Sequence, residues 1–268
     1  MQESERKGTV GSMLMHANER ASAILKRLRM TGFLSFRDLD HFLTASPATL
    51  RRDLDRLEEQ GKLKRVRGGA QLAEAERVSL SGVPFHENVS RNHPQKQAIG
   101  RAAAALCRQG EAVIIDGGST TLEMCPHIES LGLHVLTGSL HIVSALQRQP
   151  GTRISVPAGA VFREQNIILS PYDDDGMSGF HASKLFLGAA GVGPRGPMLA
   201  DALLIQAERR LLGRADEVVL LADSSKFEQI GGHLLCGLSA IDVIVSDGGL
   251  AKEHQDMIAA AGVRLIVA

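Results

Sequence analysis

Two stretches of this chain carry the residue types that bind phosphate. The first, Ser46 to Ala70, reads SPATLRRDLDRLEEQGKLKRVRGGA and places Arg51, Arg52 and Arg56 in a charged run, then Lys62, Lys64, Arg65 and Arg67 just before Gly68-Gly69. Cationic side chains displace counterions at backbone phosphates, and arginine can also pair bidentately with a guanine edge. The second, Asp116-Gly117-Gly118-Ser119-Thr120-Thr121, follows an apolar run. Glycines let a backbone approach a ligand closely, while hydroxyls and the free N–H groups at a helix start donate to an anion. Each stretch has a plainer alternative: Asp53, Asp55 and Glu58 can balance the arginines through i, i+3 and i, i+4 pairs, and a Gly-Gly-Ser-Thr-Thr loop is also an ordinary helix start.

The elements that must position these residues are legible around them. Ser46 suits an N-cap, Pro47 the first helical position, and Gly61 the left-handed residue that ends the helix. Leu50, Leu54 and Leu57 make the buried stripe, so the arginines lie off it. Upstream, Ala21, Ile24, Leu25 and Leu28 predict a helix from Asn18 to near Thr31-Gly32, and Ser35 with Asp38 resembles a capping box ahead of a stripe at Phe36, Leu39 and Leu43. Three short amphipathic helices bury their faces only against one another. The basic run after Gly61 reads as a short hairpin, or wing.

Together, Ser46, Thr49, Arg51-Arg52-Asp53-Leu54, Leu57, Gly61, Leu63, Arg65 and Gly68-Gly69-Ala70 resemble the winged helix-turn-helix signature of the DeoR family of bacterial sugar-catabolism repressors. The resemblance implies a double-stranded operator DNA partner. It makes Pro47, Ala48, Thr49, Arg51 and Arg52 the residues facing base edges, with the capping Ser46 also in the DNA-binding set and Lys62, Lys64, Arg65 and Arg67 gripping backbone or minor groove.

Charge fits such a division. Residues 1–70 hold 14 Lys and Arg against 9 Asp and Glu, a net +5, and the other residues hold 16 against 21, a net −5. A polyanion is thus expected to meet the first domain only. Cys107, Cys125 and Cys236 are odd in number and widely spaced, which argues against a disulfide framework or zinc site. No apolar run reaches the roughly 18 residues of a membrane span, and the expectation is a cytoplasmic chain with no membrane partner.

Residues 1–17 read as a flexible extension, 18–72 as the DNA-binding domain, 73–93 as a linker and lead-in, and 94–268 as a second domain. In this last part apolar strands (112–115, 133–136, 154–156, 184–188, 218–222, 241–245, 264–267) alternate with helical stretches (95–107, 120–130, 140–147, 203–212, 252–260). That alternation predicts a larger, Rossmann-like parallel-sheet domain covered on both faces, hence α/β overall, with ligands at the carboxyl ends of the strands. Asp116 to Thr121, Thr137-Gly138-Ser139 and Asp223-Ser224-Ser225-Lys226 all follow strands.

Residues 87–268 are similar to the sugar-phosphate sensor domain of the same family, which resembles ribose-5-phosphate isomerase in fold. The matching pieces are Arg91-Asn92 with Lys96, Asp116 to Thr121, Thr137-Gly138-Ser139-Leu140, Leu187 to Val192 and Asp223 to Lys226. The resemblance implies a phosphorylated sugar effector. Ser119, Thr120 and Thr121 would hold its phosphate with Lys96 adding charge; Thr137, Ser139 and Lys226 would line the sugar; Asp116, Gly117, Gly118, Gly138, Gly159 and Gly191 complete the effector-binding set. Lys226 has a structural alternative as an ion pair with Asp223 or Asp201. The family's Thr-Asn-Ser-Leu is here Thr137-Gly138-Ser139-Leu140, and its Gly-Gly after the next strand is Pro157-Ala158-Gly159-Ala160. The isomerases' acidic Asp-Gly-Ala-Asp-Glu run is replaced by Gly188-Ala189-Ala190-Gly191-Val192, so the site is expected to bind without catalysing. The rival reading is a sugar-phosphate isomerase or deaminase with an accessory DNA-binding domain. Asp173-Asp174-Asp175 is expected to be a solvated loop; no metal and no cofactor are assigned. Reading of palindromic half-sites implies a homodimer or homotetramer.

Overall fold

The computed structural model describes residues 16–31, 33–43, 45–72, 85–163, 165–170, 175–229 and 232–268. The extension up to residue 15, the linker over 73–84, and Asp173 and Asp174 lie outside them. Contacts divide the chain into two compact units, residues 1–78 and 79–268.

In the first unit the order is α1 (Ala17–Thr31), β1 (Phe33–Ser35), α2 (Phe36–Phe42), α3 (Pro47–Glu59), β2 (Leu63–Val66) and β3 (Gly69–Leu72). Ser35 and Asp38 form the reciprocal capping box, and Ser46 caps α3 by accepting from the Thr49 N–H at 3.2 Å. The expected stripes meet in one core of Ile24, Leu28, Leu39, Leu50, Leu54 and Leu57, closed by Leu34, Leu63 and Ala70. β2 and β3 pair antiparallel, and β3 also pairs with β1, a strand the periodicity did not signal. Three residues are too few for an alternation to show; the strand exists because β3 offers it a partner.

The two wing glycines do different work. Gly68 turns the hairpin at φ +90°, where a side chain is strained. A Cβ on Gly69 would lie 2.0 Å from the Leu34 carbonyl oxygen, so only glycine lets β1 and β3 approach.

The second unit runs α4 (Phe85–Ser90), α5 (His93–Ala104), β4 (Ala112–Ile115), α6 (Ser119–Leu122), β5 (His134–Leu136), α7 (Leu140–Leu146), β6 (Arg153–Ser155), β7 (Ala160–Phe162), β8 (Ile167–Leu169), β9 (Ala182–Leu187), β10 (Gly191–Gly193), β11 (Gly196–Leu199), α8 (Ala202–Leu212), β12 (Ala215–Leu221), β13 (His233–Leu234), β14 (Val243–Ser246), α9 (Lys252–Ala260) and β15 (Arg264–Val267). Seven strands form one parallel sheet in the order β15-β14-β12-β9-β4-β5-β6. Alternate strand residues serve opposite faces. Ile114, Leu136, Leu185, Leu187, Leu220 and Ile244 pack with Ile205 of α8 and Ile258 of α9, whereas Val113, Ile115, Val135, Phe186, Val219 and Val245 pack with Ile99 of α5 and Ile142 of α7. The doubly covered sheet is as expected.

Three features differ from expectation. The helix over 120–130 is a single α turn, Ser119–Leu122, followed by 3₁₀ turns at Cys125–His127 and Glu129–Leu131. Pro126 explains the break, because its ring clashes with the carbonyl four residues back in a continuing helix. The antiparallel pair β7–β8 and the small sheet β10-β11-β13 also go beyond the strands expected. Chain order reverses between β4 and β9: β4, β5 and β6 step outward one way, β9, β12, β14 and β15 the other. Such a switch point opens a crevice beyond the strand carboxyl ends.

Candidate functional site

In the first unit three acids of α3, Asp53, Asp55 and Glu58, are engaged within the domain. Asp53 is buried and receives Arg20 Nε at 2.7 Å and Arg56 Nη2 at 3.4 Å. Asp55 pairs with Arg65, and Glu58 accepts from the Arg65 backbone N–H at 2.7 Å. Arg51 and Arg52 are exposed and make no ion pair among the described residues; the Arg51 guanidinium lies 6.0 Å from the centre of the Phe36 ring. The plain alternative, a self-neutralised helix face, therefore holds for Arg56 and not for Arg51 and Arg52. Pro47 and Ala48 are exposed beside them, and Thr49 is half-buried with Oγ1 2.9 Å from Ser46 Oγ. Of the wing cations, Lys64 and Arg67 are exposed, Lys62 is half-buried, and Arg65 is tied to α3 by Asp55.

In the second unit a cavity of about 770 Å³ opens at the switch point. Lys96 of α5, Asp116 to Thr120 after β4, Gly188 to Ala190 after β9 and Lys226 after β12 line it. Parallel strand direction brings these far-separated loops to one edge. Gly118 is the N-cap of α6 and makes no side-chain capping bond, so the first N–H groups of the turn have no intrahelical partner. Lys96 Nζ stands 2.9 Å from Ser119 Oγ and also contacts the Asn88 carbonyl. The residue is 1% exposed, and burial pulls its ammonium down to about 8 even though Asp223 partly offsets it. The site thus holds a desolvated cation behind a hydroxyl and open amides. With only one α turn, the contribution of a helix macrodipole here is small.

Other expected residues are placed elsewhere. Thr121 is buried and its Oγ1 donates to the carbonyls of Asp116 and Gly118 at 2.6 and 2.8 Å, shaping the loop. Ser139 is buried as the cap of α7, and Thr137 Oγ1 accepts from the Ser139 N–H at 3.1 Å. Thr137 and Gly138 line a narrow neighbouring space of about 40 Å³ rather than the main cavity. Gly159 and Gly191 are close-approach positions, where a Cβ would sit 2.3 Å from the carbonyl oxygens of Leu169 and Gln229. Lys226 has no ion pair among the described residues; Asp223 is held by Asn92 Nδ2 at 2.9 Å and Asp201 caps α8. Asp175 is not solvated as expected: it is buried and takes a bidentate pair from Arg214, both contacts at 2.9 Å.

Sequence reasoning missed Glu208. It lines, from α8, the same cavity as Asp116, is 4% exposed, and its Oε2 has no hydrogen-bond partner among the described residues. Burial, aided by the Asp116 charge, raises it well above the ordinary carboxylate range, and burial also raises Asp116. Carboxyl groups thus reach the cavity although the acidic run is absent at 188–192. Among the described residues no group of His, Cys, Asp and Glu is arranged to hold a metal, and no helix is long and apolar enough to cross a membrane.

Comparison with known proteins places both units. The DeoR-like helix-turn-helix domain matches residues 20–76, and the DeoR C terminal sensor domain matches residues 91–248, more than half of the chain. The chain belongs to the DeoR family. Among similar DeoR-family proteins are the HTH-type transcriptional regulators UlaR of Shigella dysenteriae serotype 1 and of Escherichia coli K12. Each is 29% identical over 248 residues, 92% of this chain and 98% of theirs. These relatives are named as regulators, and this DeoR-family chain is a regulator rather than an enzyme. Ribose 5-phosphate isomerase A of Methanocaldococcus jannaschii is similar at 16% identity over 51% of this chain and 55% of that one, with a TM-score of 0.38, too weak a likeness to carry an argument.

Proposed function

We propose that the chain represses a carbohydrate catabolic operon and is modulated by a phosphorylated sugar. The observation that carries the DNA side is the exposed Arg51-Arg52 pair at the capped start of α3, without an ion pair among the described residues and next to exposed Pro47 and Ala48. Entering the major groove N-terminus first, α3 presents these residues and Thr49 to base edges. Lys62, Lys64 and Arg67 of the wing hold phosphates, and Arg65 acts by fixing the wing to α3 through Asp55. A homodimer or homotetramer places two such helices on half-sites about 34 Å apart, or multiples of that.

The effector's phosphate takes the Gly118 to Thr120 amides, the Ser119 hydroxyl and the Lys96 ammonium, with Lys226 facing the sugar. Modulation is linkage: the effector must bind the form that does not hold operator more tightly, and a swing from 1:99 to 99:1 needs roughly 10⁴-fold preference.

The test is fluorescence anisotropy on the DNA upstream of the chain's own gene, at fixed salt, titrated with sugar phosphates and the matching free sugars. Release by one phosphate and not by its free sugar is expected, and Arg51→Ala should abolish operator binding while effector binding persists. Operator binding that no sugar phosphate alters overturns the sensor reading. Sequence-specific binding retained by Arg51→Ala overturns the α3 assignment.

A further inference from the structure

The cavity has two chemically distinct parts. Lys96 on α5, the Ser119 loop after β4 and Lys226 after β12 line it on one part, and Glu208 and Leu204 line it from α8. The first part holds two lysines, a hydroxyl and open amides, with Asp223 beside them, and suits phosphate; the second holds the Glu208 carboxyl and Leu204.

Glu208 has no folding role that its surroundings reveal. Leu204, Glu208 and Leu211 fall at i, i+4, i+7 on α8, so a carboxyl group interrupts an apolar stripe; Leu204 and Glu208 line the main cavity, and all three line the narrow neighbouring space. Its helix neighbours are engaged: Arg209 donates to the carbonyls of Leu235 and Leu234 at 3.0 and 2.9 Å, and Arg210 to that of Ser170 at 3.3 Å. Glu208 Oε2 is buried without a partner among the described residues. A buried carboxyl left unsatisfied opposes folding, and an apolar residue of similar size would pack there at less cost. A ligand hydroxyl bound at the carboxyl, which lines the cavity, would give the group a partner.

We propose that Glu208 is a specificity-determining residue, which binds a hydroxyl of the effector's carbon chain and so selects a polyhydroxylated phosphate monoester over other anions that fit the Ser119 loop. This rests on the sugar-phosphate reading above and deepens it. A neutral acid accepts from one hydroxyl and donates to another oxygen, and a polyol offers both. A site built around such a bond discriminates strongly against ligands that lack the partner, because its own polar group is then left unpaired.

The test is calorimetric titration of the full chain and of Glu208→Leu and Glu208→Gln. The probes are ribose 5-phosphate, fructose 6-phosphate, glucose 6-phosphate and, by competition, inorganic phosphate. For the sugar phosphate that binds best, Glu208→Leu should weaken affinity at least tenfold while leaving inorganic phosphate within twofold, and Glu208→Gln should stay within threefold of the parent. Glu208→Leu should also melt higher than the parent, which separates lost recognition from lost folding. Unchanged sugar-phosphate affinity in Glu208→Leu, or an equal loss for inorganic phosphate, overturns the inference alone. A parent chain that binds no sugar phosphate better than inorganic phosphate overturns the sugar-phosphate reading with it.

Discussion

Raising the pH from 7 to 9 should weaken binding of a phosphorylated effector about tenfold, and Lys96 sets that figure. Burial lowers its ammonium to about 8 from an ordinary value near 10.4. The sign for folding follows: the unfolded chain holds this proton more tightly, so the empty domain carries a cost below pH 8 that is relieved as pH rises towards about 10.4. The sign for binding is opposite. A bound phosphate pairs with the ammonium and restores its proton affinity, so affinity is full below pH 8 and falls above it. For a group at about 8 when empty and well above 9 when bound, the charged fraction of the empty site falls about tenfold from pH 7 to 9, or about 1.4 kcal/mol. The ester itself is dianionic throughout, since its second proton leaves near pH 6. Calorimetry across that range on the parent and on Lys96→Met, with the same sugar phosphate, measures the effect. Flat affinity in the parent, or an unchanged slope in Lys96→Met, refutes the placement of the phosphate beside Lys96.

Two further outcomes concern the DNA-binding unit. Gly69→Ala puts a methyl 2.0 Å from the Leu34 carbonyl oxygen, backbone against backbone, and should cost about 3 kcal/mol, at the upper end for overpacking. In a unit of this size that lowers its melting point by roughly 10 °C or more, readable by calorimetric scan together with loss of DNA binding. Arg20→Ala leaves the buried Asp53 with Arg56 alone, at 3.4 Å, and should cost about 2–3 kcal/mol, somewhat less than a buried pair broken outright. Chemical denaturation should show this loss, and an unchanged midpoint would show that Asp53 does not depend on Arg20.

Much of the DNA-binding unit was legible in the sequence because its signals are local. The Ser46 cap, the Ser35–Asp38 box and the leucine stripe each act within one or two helical turns, where residue spacing alone determines who meets whom. The same holds for α9 and β15, whose bounds agree with the periodicity, and for the parallel sheet, whose strands announce themselves as buried apolar runs. What tertiary structure alone decided is pairing between distant residues. Arg51 and Arg52 became the cations without an ion pair among the described residues because Asp53 and Asp55 turned to Arg20, Arg56 and Arg65. Thr121 and Ser139 turned inward to bond backbone, while Thr120 and Ser119 stayed on the cavity wall, a choice between adjacent hydroxyls that no spacing rule makes. In sequence Glu208 is followed by Arg209 and Arg210 on a helix and carries no local signal of a site. Only the tertiary fold brings it to the cavity that Asp116 also lines, because the sheet's switch point, and not the local chain, gathers α8 and the residues after β4 around one crevice.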